Sequence, residues 1–187
     1  MGQQFGSRTI CQTVDVSSRS SNDKLRDAAL AESGPADLLV NAAGLTRRAP
    51  TLALSEADSD CLLNSNANGV LRAGSVANIA SPGSFLAFHE VAGYYASGAA
   101  VLSLTRRAGD GICVNAIAPG VFPTERNDEF PEGTGRERKI LTRTPMHRFG
   151  RPEEVGAAVL LPWDAANFVT GQCVAVGGAY LASGVSS

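Results

Sequence analysis

The chain has 187 residues, a formal net charge of −2 and a hydrophobic fraction of 44%. These values predict one domain, residues 1–187, with a core of ordinary size. The near-neutral charge argues against a nucleic-acid partner. No apolar run approaches the ~18–20 residues that span a membrane, and the N-terminal residues lack the pattern of a signal peptide. We therefore expect a cytoplasmic protein that binds neither membranes nor nucleic acid.

Cysteine and histidine spacing gives no sign of a metal site. His89 and His147 have no second His or Cys at ligand spacing, so we expect no bound metal. The cysteines are separated by 50 or more residues and form no CxxC pair, which predicts buried free thiols. They are Cys11, Cys61, Cys113 and Cys173.

The first part of the chain predicts a strand, a helix and a second strand. Residues 8–16 alternate loosely and contain β-branched side chains, which is typical of a strand. Residues 22–33 carry apolar side chains at helical spacing, and Gly34 with Pro35 ends that helix. Residues 37–40 are wholly apolar after Asp37, as in a strand of a buried parallel sheet.

Small residues follow this second strand directly. At the carboxyl edge of a parallel sheet they let a ligand approach the backbone closely. Taken alone, the segment is equally compatible with a plain strand-to-loop turn. It consists of Asn41, Ala42, Ala43 and Gly44.

The middle of the chain predicts a helix over residues 51–73, with Ser55 as its N-cap. Asn66 lies in this helix, three residues before Gly69, where an isolated asparagine is usually a surface or capping residue.

A serine and a tyrosine stand thirteen residues apart, Ser81 and Tyr94, and Tyr94 opens a helix of small residues over 94–107. A tyrosine can transfer a proton at a substrate oxygen if a nearby cation lowers its phenol pKa from about 10. The alternative is a tyrosine in an ordinary amphipathic helix.

In the last third, residues 109–120 predict a turn, a strand and a Pro-Gly pair, and residues 125–150 predict a loop. The loop is rich in basic side chains. These could attract an anionic substrate, or they could belong to a solvated amphipathic helix. They are Arg136, Arg138, Lys139, Arg143 and Arg148.

Several of these segments resemble motifs of the short-chain dehydrogenase/reductase family. Ser81, Tyr94 and the following helix resemble the family's catalytic segment, Ser…Tyr-x-x-x-Lys. Residues 41–44 resemble its N-(N/A)-A-G motif, and residues 66–69 resemble its Asn-x-x-Gly motif. Residues 74–81 resemble its fifth strand, which delivers the serine, and residues 172–176 resemble its last strand. The resemblance covers nearly all of residues 8–187, and the tail from Arg143 looks most like the family's gluconate and sugar-acid dehydrogenases.

The resemblance implies an α/β fold with a three-layer, Rossmann-like and mostly parallel sheet. It also implies NAD or NADP as the cofactor and a small-molecule substrate, a sugar acid or polyol, that undergoes hydride transfer between carbonyl and alcohol. The implied catalytic residues are Tyr94, which moves the proton, Ser81, which polarises the substrate oxygen, and Asn66, which helps to hold a proton path. The implied cofactor-binding residues are Asp15, Val16, Asn41, Ala42, Ala43, Gly44, Tyr94, Pro119, Gly120, Val121 and Thr124.

The sequence departs from the family pattern in ways that bear on activity. Gly98 stands where the family has its lysine. The Gly-rich phosphate turn and the family's first two strands have no counterpart, which predicts a chain truncated at the N-terminus with an incomplete sheet. Residues 9–15 are then expected to pair with residues 37–40. Only residues 70–73 replace a long packing helix, so the family's usual homo-oligomer is in question.

These departures lead us to expect an oxidoreductase with impaired activity. Two alternatives are a catalytically inactive relative that binds a ligand or partner, and a non-functional gene remnant.

Overall fold

The computed structural model of the chain describes residues 9–68, 75–87, 90–106, 112–123, 134–160 and 168–183. None of the helices in these ranges is long and apolar enough to cross a membrane. Strands and helices occur in the following order along the chain: α1 (Arg19–Ser33), β1 (Leu39–Asn41), α2 (Glu56–Leu63), β2 (Ser75–Ile79), α3 (Ala92–Arg106), β3 (Cys113–Pro119), α4 (Gly135–Arg143), α5 (Pro152–Leu160) and β4 (Cys173–Val176).

The four strands form one parallel sheet in the order β1-β2-β3-β4. The predicted α/β fold with a parallel sheet is therefore confirmed. The centre of the sheet is buried. Ala77 of β2 and Ala116 of β3 are 1% and 0% exposed, as expected for strands that are covered on both faces. Leu102 of α3 packs with Ala116 and Ala80 in the core.

Helix α1 begins three residues earlier than the sequence predicted, because Ser18 caps it. The Ser18 side chain accepts a hydrogen bond from the Ser21 amide, and this satisfies one of the free amides of the first turn. The helix ends at Gly34 as predicted, with φ at 78°, a left-handed conformation that favours glycine.

The predicted strand over residues 8–16 is wrong for the part that the structure describes. Residues 9–16 take no place in the sheet. The Asp15 carboxylate instead accepts hydrogen bonds from the amide and hydroxyl of Ser17, at 3.0 and 2.6 Å, and this closes a turn before α1.

The predicted pairing of residues 9–15 with residues 37–40 is also wrong. Val14, Val16, Leu39 and Val40 all line one cavity of about 190 Å³. Strands in a ladder lie about 4.8 Å apart and exchange backbone hydrogen bonds, whereas these two segments meet at a cavity and form no ladder. Among the described strands, β1 therefore pairs with β2 alone.

The helix predicted over residues 51–73 is shorter and is broken. A 3₁₀ turn over Thr51–Ala53 is followed by α2, which begins after Ser55. The Ser55 cap is confirmed, since its hydroxyl accepts from the Asp58 amide at 3.1 Å. A π-helical turn then covers Asn64–Asn68, and residues 69–73 lie outside the described ranges.

All four cysteines are free thiols, as predicted, but the expected burial is wrong for Cys11, which is exposed, and only partly met by the other three, which are half-buried. Cys11 is exposed because residues 9–16 lie outside the sheet. Cys173 in β4 is half-buried, and burial raises the pKa of its thiol.

Strands β3 and β4 approach most closely just beyond their carboxyl ends. The Gly120 amide donates to the Val176 carbonyl at 2.8 Å. A Cβ atom on Gly120 would lie 2.6 Å from the Gly177 Cα atom. Because this neighbour is backbone, only glycine fits at position 120.

Replacing Gly120 by Ala should therefore destabilise the fold. We expect the free energy of unfolding to fall by about 1–3 kcal/mol, the usual cost of overpacking, in a urea titration. Gly135→Ala is the matched control, because nothing lies within 4 Å of a Cβ atom there. Equal losses in the two variants would contradict the proposed close approach.

Candidate active site

The candidate residues gather where the parallel strands end, at the sheet edge where such folds bind ligands. Residues 41–44 follow β1, and Ser81 follows β2 after Ala80. Asn66 lies in the π-helical turn Asn64–Asn68, and Tyr94 lies in the first turn of α3. Interruptions of this kind in a helix occur frequently at functional sites.

Asn66 clamps the loop that follows β1. Its Nδ2 atom donates to the Leu45 carbonyl at 3.0 Å, and its Oδ1 atom accepts from the Leu45 amide at 2.9 Å. A Cβ atom on Gly44 would lie 3.3 Å from the same Oδ1 atom. The structure thus brings the predicted small-residue segment and the predicted Asn66 into direct contact.

A buried serine joins this clamp to the tyrosine helix. The Asn66 Nδ2 atom also donates to Ser97 Oγ at 2.9 Å, and Ser97 Oγ donates to the Tyr94 carbonyl at 2.7 Å. Ser97 is 0% exposed. Asn66 and the backbone of Tyr94 are thereby held in one hydrogen-bonded network.

Ser81 is fixed by a reciprocal cap around the 3₁₀ turn Pro82–Ser84. Its Oγ atom accepts from the Gly83 amide at 3.2 Å, and its own amide donates to Ser84 Oγ at 3.3 Å. A hydroxyl that accepts such a bond can still donate its proton. Ser81 is therefore able to donate a hydrogen bond to a ligand oxygen.

Of the two adjacent tyrosines, Tyr94 is the better candidate for proton transfer. Burial raises the pKa of Tyr95 to about 12, and the positive charges of Arg48 and Arg136 act in the opposite direction. The Tyr95 ring also packs directly over Gly83, where a Cβ atom would overlap it. Tyr95 therefore acts as a packing residue that stays protonated at ordinary pH.

Gly98, one helical turn after Tyr94, is buried beneath Ser84. A Cβ atom on Gly98 would lie 2.5 Å from Ser84 Oγ. Any side chain at position 98 therefore requires the Ser84 hydroxyl to rotate, and rotation would break its hydrogen bond with the Ser81 amide. Gly98 therefore leaves the space that the Ser84 hydroxyl occupies.

Most of the residues predicted for the adenosine side line one cavity of about 190 Å³, but Asp15 and Gly44 do not. Its lining includes Val16, Asn41, Ala42, Ala43 and Asn66. The side chain of Asn41 itself turns into the sheet, where its Nδ2 atom donates to Asn78 Oδ1 at 2.9 Å.

Asp15 lies at the start of the same region, and its carboxylate is exposed. Its hydrogen bonds with Ser17 hold the pKa of this carboxyl below the ordinary value. Asp15 is therefore ionised over the physiological pH range.

The structure describes three of the four residues predicted for the nicotinamide side. Pro119 ends β3 and Gly120 follows it. Val121 lines a second cavity, of about 290 Å³, whose lining includes Phe122, Gly177 and Gly178 but none of the three catalytic candidates. Thr124 lies outside the described residues.

The described residues fit the adenosine end of a dinucleotide better than its centre. An apolar cavity lined by small residues suits the adenosine end, and the ionised Asp15 lies next to Val16, which lines it. In the described ranges no glycine-rich turn joins a strand to a helix N-terminus, which is the usual pyrophosphate cradle. The same ranges contain no cluster of His, Cys, Asp and Glu that could hold a metal.

Comparison with known proteins identifies the family of this chain. A family model described as enoyl-(acyl carrier protein) reductase matches residues 1–180. The chain is 36% identical over 197 residues to 2-dehydro-3-deoxy-D-gluconate 5-dehydrogenase of Dickeya dadantii, covering 95% of the chain and 78% of that relative. The chain belongs to the short-chain dehydrogenase/reductase family of oxidoreductases.

Other members of this family show the same likeness. The chain is 34% identical to 3-oxoacyl-(acyl-carrier-protein) reductase of Thermotoga maritima, covering 88% of the chain and 74% of that relative. A crystal structure of gluconate 5-dehydrogenase from Burkholderia cenocepacia, in complex with NADP and tartrate, superposes with a TM-score of 0.83 at 34% identity, over 90% of this chain and 74% of that one. The predicted resemblance and Rossmann-like fold are thus confirmed.

Sequence reasoning missed three residues of this short-chain dehydrogenase/reductase site. Ser97 lies three residues after Tyr94, a spacing that places it on the same helical turn. Ser84 lies three residues after Ser81, the spacing of a cap. No sequence pattern points to Arg48, because only the fold brings its positive charge near Tyr95.

Ionisation of Tyr95 should weaken the fold at alkaline pH. Its folded pKa, about 12, lies above the ordinary value of 10.0. The stability gained from neutral Tyr95 is therefore complete below about pH 10 and is lost as the pH rises towards 12. We expect the urea midpoint of Tyr95→Phe to fall less steeply than that of the wild type between about pH 10 and about pH 12. Identical slopes would contradict the burial of Tyr95.

Proposed function

We propose that this chain is an NAD(P)-dependent oxidoreductase that interconverts an alcohol and a carbonyl group on a sugar acid or polyol. The observation that carries the proposal is the hydrogen-bonded network Leu45–Asn66–Ser97–Tyr94. It holds the candidate proton-transfer residue and the loop of the candidate cofactor cavity in one arrangement.

Proton transfer is assigned to Tyr94. When a carbonyl is reduced, the Tyr94 hydroxyl gives its proton to the substrate oxygen, and it takes the proton back in the opposite direction. Ser81 donates a hydrogen bond to the same oxygen and so favours the charge that develops there. Asn66 keeps the tyrosine helix and the loop after β1 together. The nicotinamide, when bound, supplies or accepts the hydride.

The adenosine end of the cofactor is assigned to Asp15, Val16 and the residues 41–44. The nicotinamide end is assigned to Pro119, Gly120, Val121 and Thr124. Support comes from the cavity between Val16 and residues 41–43 and from the NADP bound by the Burkholderia cenocepacia relative.

A sugar-acid substrate is supported by two observations. The chain is 36% identical to a 2-dehydro-3-deoxy-D-gluconate 5-dehydrogenase. Arg48 and Arg136 also lie close enough to Tyr95 for their positive charges to act against the rise that burial causes in its pKa. Guanidinium groups are the preferred partners of carboxylates. Positive charge beside Tyr95, the neighbour of Tyr94, therefore favours an anionic substrate.

Gly98 limits the expected turnover. It provides neither the positive charge that would lower a tyrosine pKa nor a side chain that would hold the cofactor. We therefore expect slow catalysis. A ligand-binding protein without turnover and a non-functional remnant remain the alternatives.

Cofactor binding is the first test. We expect NADPH or NADH fluorescence to rise on addition of the protein, with saturation below millimolar cofactor. Ala42→Leu should weaken this binding about tenfold by filling the cavity. Ala53→Leu is the control, because Ala53 is exposed and is not among the residues that line that cavity. No binding of either cofactor at millimolar concentration would reject the proposal and leave the two alternatives.

Restoring the cation is the second test. Gly98→Lys alone should cost stability, because Ser84 Oγ lies 2.5 Å from the new Cβ atom. Gly98→Lys combined with Ser84→Ala should raise turnover at least about tenfold, within the usual range for general acid–base catalysis.

The control for this test is Gly98→Met with Ser84→Ala, which has a chain of similar length without charge. Turnover is measured with gluconate and with a neutral polyol, and gluconate should be preferred. An equal gain from Met and Lys would show that charge at position 98 is not what the site lacks.

A further inference from the structure

Ser97 is a fully buried hydroxyl whose two hydrogen bonds have a fixed direction. It donates its single proton to the Tyr94 carbonyl at 2.7 Å and accepts from Asn66 Nδ2 at 2.9 Å. Because Ser97 is 0% exposed, water cannot replace either partner. Loss of the hydroxyl would leave an Asn66 N–H group without its buried acceptor.

The network also fixes which way the Asn66 amide faces. Both Nδ2 protons are used, one by the Leu45 carbonyl and one by Ser97, while Oδ1 accepts from the Leu45 amide. A flipped amide would set its oxygen against the Leu45 carbonyl oxygen. Ser97 therefore helps to hold the orientation on which the loop after β1 depends.

The turn that Ser97 ties down is the turn that contains Gly98. Glycine inside a helix costs about 1 kcal/mol relative to alanine, so the turn that carries Tyr94 is intrinsically loose. The bond from Ser97 Oγ to the Tyr94 carbonyl closes this turn, and the bond from Asn66 anchors it to the next element.

A second tie on the same helix provides a comparison. Thr105 Oγ1 donates to the Val101 carbonyl at 2.8 Å and accepts from Asn78 Nδ2 at 3.0 Å. Its chemistry is the same, and Thr105 is 1% exposed. It connects α3 to β2, two helical turns beyond Ser97.

We propose that Ser97 is a positioning residue of the reaction: its hydroxyl couples the orientation of Tyr94 to Asn66 and to the loop after β1. The expected effect of Ser97 on turnover rests on the proposed function. The expected effect of Ser97 on the Asn66 side-chain amide is independent of that function.

The first arm of the test uses the protein without cofactor. In Ser97→Ala the Asn66 side-chain amide signals in a nitrogen–proton correlation spectrum should shift, and exchange of the Asn66 amide protons with water should speed up about fivefold or more. Thr105→Val is the matched control and should move the Asn78 amide but not that of Asn66. Unchanged Asn66 signals in Ser97→Ala, or equal changes in both variants, would overturn the proposal.

The second arm measures turnover with cofactor and substrate. Both variants should lose similar stability, since each leaves one buried amide proton unpaired, but only Ser97→Ala should lower kcat, by about fivefold or more, with little change in KM. The double variant Asn66→Ala with Ser97→Ala should be no slower than Asn66→Ala. Fully additive losses would overturn the coupling. If Ser97→Ala does not fold, Ser97→Cys, with its weaker hydrogen bonds, replaces it in both arms.

The two arms separate the two ideas. A wild type that binds no cofactor rejects the proposed function, while the amide signals still decide whether Ser97 controls Asn66. A wild type that turns over, with equal kcat in Ser97→Ala and Thr105→Val, rejects the role of Ser97 and leaves the function intact.

Discussion

Two buried asparagine–hydroxyl pairs hold helix α3 against the rest of the molecule, and the candidate site depends on the pair that contains Ser97. Asn66 donates to Ser97 near the tyrosine, and Asn78 donates to Thr105 two helical turns further on. In each pair the hydroxyl donates a hydrogen bond to a backbone carbonyl of α3. A buried amide must be paired, because an unpaired one costs about 1–3 kcal/mol. The position of α3 is therefore set by hydrogen bonds as well as by apolar packing.

The same network connects the strands to the site. Asn41 at the end of β1 donates to Asn78 of β2, so a residue assigned by resemblance to the cofactor side has its side chain committed to the sheet. Residues 42–44 then lie at the exposed edge of the sheet, where the hydrogen bonds between Asn66 and the Leu45 backbone hold the loop. Stability and function are therefore not separable here, because the residues that shape the cavity are those that satisfy the buried polar groups.

The sequence predicted what depends on local pattern. The apolar segments of β1 and β3, the Ser55 cap and the Gly34 stop were found in the structure because each rests on neighbouring residues. The strand over residues 8–16 failed because a strand needs a partner, and no local pattern states whether one lies within reach. Ser97 was missed for a related reason. Its importance comes from Asn66, 31 residues away in sequence.

The hydrogen-bonded network serves the fold and the candidate site at once. Losing Asn66, Ser97, Asn78 or Thr105 would leave a buried group unpaired, so folding requires these residues whether or not the protein turns over. What supports chemistry is where the network near Asn66 places its partners: it holds the first turn of α3, which carries Tyr94, beside the loop of the candidate cofactor cavity. The case against turnover rests on the missing positive charge at Gly98, one helical turn after Tyr94.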